Sequence, residues 1–464
     1  MPPEVSGELR EIVGADGVVE DPARLLVYES DGLTQYRCPP GAAVFPRNTG
    51  ETSAVLRVLA RRGIPFVPRG AGTGLSGGAL ASEGGVLVGT ARMNRILEMD
   101  PANRRAVVEP GVVNAHINEA AAPHGLMYAP DPSSQTACTI GGNVAENSGG
   151  PHCLKYGVTS RYVTGLTVVL PDGEVLHLGA FGAPEAEGLD LVGLFVGSEG
   201  CFGMATEVEV ALVPAPESSR TLLALFPDMA SGGRAVTRVI GAGLVPAAME
   251  IIDRETIRAV ESSDFAAGYP TDVEAALVVE FDGPDAGLDQ DVAQAEEACR
   301  AEGAREMRVA KPGPERDALW QGRKKAFGAM GRIAPDLIVQ DATVPRTRLP
   351  EVLETIAGIA RRYNLTVANV FHAGDGNLHP NVLFDRRDPE ELERVEAASA
   401  EIMKACVAVG GTITGEHGVG VDKRKYMSLI HSPEALQAMA GVARVFDPEG
   451  RANPGKVLPD GVEA

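Results

Sequence analysis

The sequence predicts an α+β protein of two domains, and three observations carry that reading. The chain has 464 residues, too many for one ordinary hydrophobic core. Its first half consists of short strand and helix signals punctuated by glycine, whereas its second half alternates longer strands with longer helices. Between the two lies PAPESS (214–219), whose proline and serine content marks a linker. The domains are therefore placed at 1–215 and 216–464, with no internal repeat and no low-complexity segment.

Element by element, residues 52–62 (TSAVLRVLARR) read as an amphipathic helix stopped by Gly63, followed by a strand over 64–68. Strands are expected at 86–90 and as a hairpin over 96–100 and 106–109. Residues 112–122 read as a helix with Gly125 just beyond its end. VTGLTVVLPDGEVLHLG is a second hairpin turning at Asp172-Gly173, and a strand over 205–213 ends at Pro214. In the second half, strands at 220–226 and 275–281 alternate with helices near 230–242 and 288–302. A basic helix around Trp320 follows, then strands at 336–344 and 366–372 around a helix at 350–362. A long helix over 389–409 stops at Gly410-Gly411, and the last residues are turn-rich.

Composition narrows the function. Sixty-three acidic against 42 basic side chains give a net charge of -21, which opposes binding to nucleic acid. No apolar run reaches the ~18 residues of a transmembrane segment. The start, MPPEVSGELREIVG, lacks the basic and apolar regions of a secretory signal, so the expected place is the cytoplasm. The six cysteines show no C-x-x-C spacing, which argues against a zinc knuckle or an iron–sulfur cluster and for buried thiols in a reducing compartment.

Three glycine-rich blocks stand out. PRGAGTGLSGGA (68–79) is too rich in glycine for a regular element. Its N–H groups could turn inward around an anion such as a diphosphate. It lacks the Lys-Ser/Thr ending of a P-loop and the order of a dinucleotide fingerprint; a flexible surface loop is the bland alternative. The blocks at 130–157 and 197–203 make that alternative harder to hold, because three such blocks resemble one extended cofactor wrapped by backbone.

A second constellation needs only hairpin geometry. VANVFH-AGDG-NLHPNVLF puts Asp375-Gly376 between two apolar strands, and a two-residue type I′ turn there sets His372 directly opposite His379. Facing imidazoles can share one divalent ion, and Asn381 lies on the same face as His379. Two ordinary core histidines are the alternative. GEHGVG (415–420) adds the carboxylate of Glu416 and a third imidazole, His417; two histidines and a carboxylate are a common catalytic metal set. The histidines at 116, 124, 152, 177 and 431 read as structural or surface residues.

RGAGTGLSGGA, APDPSS, IGGNVAEN, CLKYG, FHAGDGNLHPN and GEHG together resemble the vanillyl-alcohol oxidase / p-cresol methylhydroxylase flavoprotein superfamily. Within it the resemblance, over about 25–459, is to the D subunits of bacterial glycolate oxidases and their D-lactate and D-2-hydroxyglutarate dehydrogenase kin. It implies a two-part FAD-binding domain of the p-cresol methylhydroxylase type and a ferredoxin-like C-terminal substrate domain, with the last ~20 residues returning to the flavin. It further implies that Arg69, Gly70, Ala71, Gly72, Thr73, Gly74 and Ser76 wrap the FAD diphosphate. Pro130, Asp131, Ser134, Gly141, Gly142, Asn143 and Asn147 would line the isoalloxazine and ribityl chain, and Glu199 and Gly200 the adenine end. GAGTG carries no histidine, so FAD should be non-covalent, a thioether to Cys153 being the alternative. In NPGK, Asn453 would reach the flavin pyrimidine edge or sit in a plain C-terminal turn.

The same resemblance makes His372, His379 and Glu416 ligands of a divalent, zinc-like metal and His417 the proton acceptor. The implied reaction is oxidation of a small 2-hydroxy acid, with the metal on the α-hydroxyl and a carboxylate oxygen. The α-hydrogen would leave as hydride to flavin N5. An imidazole's ordinary pKa of about 6.5 suits His417 to take the hydroxyl proton. Arg323, in WQGRKKAF, is the expected second clamp on the carboxylate, against the bland reading of a solvated basic helix face. The 2-hydroxyglutarate relatives carry a lysine where DLIVQD has Val339, which favours glycolate or D-lactate here. With no cluster motif of its own, the chain is expected to hand electrons to companion flavoprotein and iron–sulfur subunits, at the inner membrane through those partners or in the cytoplasm. A D-lactate dehydrogenase working alone, a non-oxidative alkyl-glycerone-phosphate synthase and a flavin-bearing structural subunit are the competing readings.

Overall fold

A computed structural model describes residues 1–179, 188–311 and 313–462. The chain divides into two compact units: one comprises residues 1–150, 158–215 and 416–464, the other 151–157 and 216–415. The return of the C-terminus to the first unit thus begins at Glu416.

The first unit holds two sheets. Strands Ala42–Val44, Val86–Gly89 and Phe66–Arg69 pair in parallel, with Val18–Val19 antiparallel at one edge. Helix Thr49–Arg61 supplies the crossover; the Asn48 side chain accepts from Glu51 N–H, and Val55, Leu56, Val58 and Leu59 are buried. Arg62 and the left-handed Gly63 end it, as the sequence predicts. The second sheet is antiparallel, in the order Ile96–Asp100, Arg105–Val108, Met204–Ala211, Val163–Val169, Val175–Gly179. Its last two strands are the hairpin turning at Asp172-Gly173, where Gly173 has φ +86°.

The second unit opens with strand Ser218–Phe226, helix Met229–Gly241, strand Ala248–Asp253, strand Ala275–Gly283, helix Leu288–Ala301 and strand Glu306–Val309. Numbered 1 to 4, the strands lie 4-1-3-2 and pair antiparallel, the ferredoxin-like order the resemblance implies. Apart from helix Arg254–Glu261, which lies between the second and third strands of the first half, the β-α-β-β-α succession then recurs: strand Asp336–Val339, helix Leu349–Tyr363, strands Thr366–His372 and Pro380–Phe384, helix Pro389–Ala408. The two second strands, Ala248–Asp253 and Thr366–His372, join edge to edge. No repeat is visible in the sequence because the halves share topology and not side chains.

One face of this sheet packs on helices Arg254–Glu261 and Pro314–Ala329 through Leu223, Ile252, Val278 and Val370 against Ile257, Val260, Leu319 and Trp320. Sequence patterning passed over strand Ala248–Asp253, and it lies at the centre of the domain.

Candidate active site

Residues 68–79, 130–150 and 197–203 of the three glycine blocks lie within the first unit. A Cβ on Gly70 would lie 2.4 Å from Thr139 Oγ1, and the nearest atom of Gly142 is 3.5 Å from that point. One on Gly200 would lie 3.2 Å from Pro68 and 3.7 Å from Asn453 Nδ2. Asn453 Nδ2 donates to Gly78 O (2.8 Å) and Glu199 O (2.6 Å), so NPGK closes onto the first and third blocks. Arg69 turns back over its own loop and donates to Ser30 O and Ala79 O. Ser134 O accepts from Ala137 and Cys138 N–H, Asn114 Nδ2 donates to Pro130 O, and the Asp131 carbonyl leaves no room for a Cβ on Gly150. Asn143 Nδ2 donates to Asn114 Oδ1 at 2.8 Å, ordering the second block.

Three of these residues hold left-handed backbones without being glycine: Asn147 (φ 50°), Glu199 (φ 51°) and Asn453 (φ 44°). Such strain collects where a backbone is shaped around a ligand. The oxygens Ser76 Oγ, Thr139 Oγ1, Ser198 Oγ, Glu146 Oε2 and Asn453 Oδ1 are buried without a partner among the described residues. The first and second glycine faces stay open, because a Cβ on Gly74 or Gly142 would meet nothing closer than 3.8 and 3.7 Å. Unpartnered buried oxygens around an open backbone cradle fit an extended polar cofactor such as FAD.

The GEHG turn is built into the same cradle. Glu199 accepts the N–H groups of Val419 and Gly420, each at 2.6 Å, and Ser76 O accepts those of Val421 and Asp422. Gly418 and Gly420 take positive φ, and a Cβ on Gly418 would strike Glu146 Oε2 (2.3 Å) and Glu199 Oε1 (2.9 Å). Those two carboxyls therefore crowd one point. Burial, then Glu199 and Asp31, push Glu146 well above the usual carboxylate range against the pull of Lys423. Burial also raises Glu199, and pushes Asp31 up to about 6. His417 Nε2 lies 3.8 Å from Glu416 Oε1. The sequence reading missed Glu146, Asp31 and Lys423; the acid inside IGGNVAEN was the available signal for the first.

In the second unit the histidine hairpin differs from expectation in one respect. His372 pairs with Asn377, and Asn369 with Pro380, so the loop is the four residues 373–376 and not a two-residue turn. Asp375 N–H bonds His372 O and Gly376 N–H bonds Ala373 O, while Gly376 (φ +76°) is pressed against Val344 O. The shift is two residues, which preserves the face of every side chain. His379 is consequently a diagonal neighbour of His372, with ring centroids 5.3 Å apart and planes at 86°.

Each imidazole is oriented through Nδ1. His372 Nδ1 lies 2.7 Å from Glu250 Oε1, and His379 Nδ1 lies 3.2 Å from Gln340 O. Arg323 Nε donates to the other oxygen of Glu250 at 2.6 Å, so the sequence-predicted Arg323 is buried beside His372 and not on a solvated face. Burial raises Glu250, but Arg323 and His372 outweigh it and hold the carboxyl below its usual range. Asn381 Nδ2 donates to Ala368 O and His379 O, leaving Oδ1 buried without a partner among the described residues; Val339 stands opposite it in the register. Thr414 Oγ1 donates to Asp341 Oδ2 (2.6 Å), and a Cβ on Gly415 would lie 2.4 Å from Asn377 Oδ1. The chain therefore leaves this unit beside Asp341 and Asn377, and Glu416 is the next residue. Cys153 sits in helix Cys153–Tyr156 of the second unit, and none of the six cysteines forms a disulfide.

An FAD binding domain model matches residues 40–179, and a model for FAD linked oxidases, C-terminal domain, matches residues 215–457, more than half of the chain. The chain belongs to the FAD-linked oxidase family. This FAD-linked oxidase is 47% identical to glycolate oxidase subunit GlcD of Escherichia coli (strain K12), over 97% of this chain and 90% of that one. It is 42% identical to glycolate oxidase subunit GlcD of Bacillus subtilis (strain 168), over 98% and 97%. It is 33% identical to a D-lactate dehydrogenase of Anaerostipes hadrus, over 98% and 97%. Among solved structures, substrate-bound p-cresol methylhydroxylase aligns with a TM-score of 0.81 at 17% identity, covering 98% of this chain and 96% of that one. An alkyldihydroxyacetonephosphate synthase aligns at 0.77, also at 17% identity, covering 98% and 85%. Those two show the fold alone, which is the p-cresol methylhydroxylase type expected from the sequence. The protein is thus an FAD-dependent oxidoreductase. Among the described residues, no helix is long and apolar enough to cross a membrane.

Proposed function

We propose that this FAD-linked oxidase converts a small 2-hydroxy acid, glycolate or D-lactate, to the 2-oxo acid and passes the electrons to an acceptor other than NAD. The observation that carries the reading is the pair of imidazoles in the second unit, each tied back through Nδ1 so that its Nε2 faces away from the tie. Relatives that match over nearly the whole chain are named for glycolate and D-lactate, which supports the substrate class.

In this reading residues 1–215 with the C-terminal return bind FAD non-covalently through the cradle of Arg69–Ser76, Pro130–Ser134, Gly141–Asn147, Glu199–Gly200 and Asn453. The rest of the segment from 216 onward forms the substrate domain. His372, His379 and Glu416 would hold a divalent metal of the zinc type, Glu416 following directly on the anchored Gly415. FAD, when bound, supplies a hydride acceptor, and such a metal supplies a Lewis acid for the hydroxyl oxygen. His417 takes the hydroxyl proton. Arg323 clamps the substrate carboxylate with guanidinium nitrogens other than the Nε held by Glu250. The buried Oδ1 of Asn381 accepts a hydrogen bond from the ligand, and Val339 opposite it leaves no cation for a distal carboxylate. Electrons leave to companion flavoprotein and iron–sulfur subunits, which would seat the protein in the cytoplasm at the inner membrane. The name of the Anaerostipes relative favours, as second reading, a D-lactate dehydrogenase that works alone.

Anaerobic titration with glycolate, D-lactate, L-lactate and D-2-hydroxyglutarate separates these readings. Flavin should bleach with glycolate or D-lactate, and bleaching by none of the four would end the proposal. Acid precipitation should release the flavin into solution; flavin left in the pellet would show a covalent bond.

A further inference from the structure

Glu250 is the only charged residue inside the AMEII run of strand Ala248–Asp253, and it is fully buried. An acid in that position is expensive unless its lone pairs are met by donors. Its cross-strand neighbours are Val278 on one side and His372 on the other, where the two halves of the domain join. The side chains of Glu250 and His372 share the sheet face covered by helix Pro314–Ala329, which brings in Arg323. One carboxylate thus accepts from Arg323 Nε at 2.6 Å and lies 2.7 Å from His372 Nδ1.

We propose that Glu250 is a positioning residue, a buried carboxylate that holds His372 in its Nδ1–H tautomer and fixes the plane of Arg323. The inference rests on the metal-assisted reading above and deepens it. A carboxylate already engaged by a guanidinium has only lone pairs to offer, so the ring nitrogen facing it must carry the proton. The coordinating lone pair of His372 then sits on Nε2. The carbonyl of Gln340 imposes the same tautomer on His379. Both rings are set as ligands before any ion arrives, a pairing known to raise the basicity and fix the orientation of histidine ligands. The same carboxylate aligns the arginine proposed to bind substrate, so one side chain couples the ligand and the clamp.

The test uses the full chain with its FAD, stripped of metal at mildly alkaline pH. Nitrogen-15 NMR of labelled histidines should show His372 protonated on Nδ1 in the wild type. In Glu250→Gln the amide can satisfy Arg323 with its oxygen and His372 with its NH2, which moves the ring proton to Nε2. Zinc affinity, measured by competition with a chromophoric chelator, should then fall about 10- to 100-fold. Glu280→Gln, a change at an equally buried carboxylate two strands from His372, should leave zinc affinity unchanged while lowering stability. If Glu250→Gln does not fold, Glu250→Asp keeps the acceptor and should retain the Nδ1–H signal with a smaller loss of affinity. A wild-type His372 protonated on Nε2, or wild-type zinc affinity in Glu250→Gln, overturns the assignment. A wild type that binds no zinc ends the metal reading by itself, and Nδ1–H at His372 would still support the role of Glu250.

Discussion

The two units solve the burial of charge in opposite ways. In the first, Glu146, Glu199 and Asp31 sit among glycine loops, where burial raises all three, exceeding the help of backbone N–H groups at Glu199 and Asp31 and the pull of Lys423 on Glu146. In the second, Glu250 and Glu280 are as deeply buried, yet arginines and ring N–H groups hold both down. Glu280 alone receives Arg316, Trp320 Nε1 and Thr221, lies 3.3 Å from His152 Nε2, and falls to about 2. Asp253 is the exception there, pushed up to about 6 although it caps helix Arg254–Glu261. The contrast teaches what each unit is made for. A cradle of backbone wraps a large ligand and tolerates unmet oxygens until that ligand comes; a frame of side chains on strands must be satisfied beforehand to hold atoms at fixed spacing.

The largest expected effect separates the two most plainly. His372→Ala or His379→Ala should lower turnover with a dye acceptor by about a thousandfold, since a Lewis acid contributes several kcal/mol, while flavin content stays at the wild-type level. Loss of flavin in both variants would erase the distinction between cradle and frame.

Next comes the frame's own stability. Glu280→Gln strands Arg316 and should cost about 3–5 kcal/mol, read in urea by the fluorescence of Trp320, the chain's single tryptophan. A cost below 1 kcal/mol would show the network to be ornamental.

The pH dependence should run in opposite senses. Glu280 is depressed, so its contribution is complete above about 4.5 and is lost as pH falls toward 2. Asp31 is raised, so folding is favoured most below about 3.8 and loses that favour as pH climbs through 6. Each amounts to roughly 3 kcal/mol. In apoprotein, Asp31→Asn should therefore raise the denaturation midpoint at neutral pH and leave it unchanged near pH 4, whereas Glu280→Gln should do most harm at neutral pH. Parallel pH profiles for the two variants would refute the contrast.

The smallest effect concerns backbone. Gly72 has φ +71°, and a Cβ there would lie 2.2 Å from Arg69 Nη2. Gly72→Ala should weaken FAD binding about tenfold, by titration of apoprotein, with the KM for substrate unchanged.

What could be read in the sequence follows the same division. The cradle was legible because glycine says where backbone must come close, and three such blocks left few alternatives. The histidine hairpin was legible by face but not by pairing: Asp375-Gly376 suggested a two-residue turn, whereas packing of Gly376 under Val344 O opens a four-residue loop. Glu250 was missed because a lone acid in an apolar strand reads as an edge or an error until its partners, 73 and 122 residues away, are seen. Glu146 was hidden for the same reason, its neighbours Glu199 and Gly418 being remote in sequence.

The central claim, a metal-assisted oxidation carried by ligands that do not bind the flavin, is tested most directly by anaerobic stopped-flow reduction of the chelator-treated holoprotein with glycolate and with D-lactate. The account predicts an unchanged flavin spectrum, bleaching at least about a hundredfold slower than in untreated protein, and recovery when zinc is restored. Full-rate bleaching by protein shown to be metal-free would contradict it.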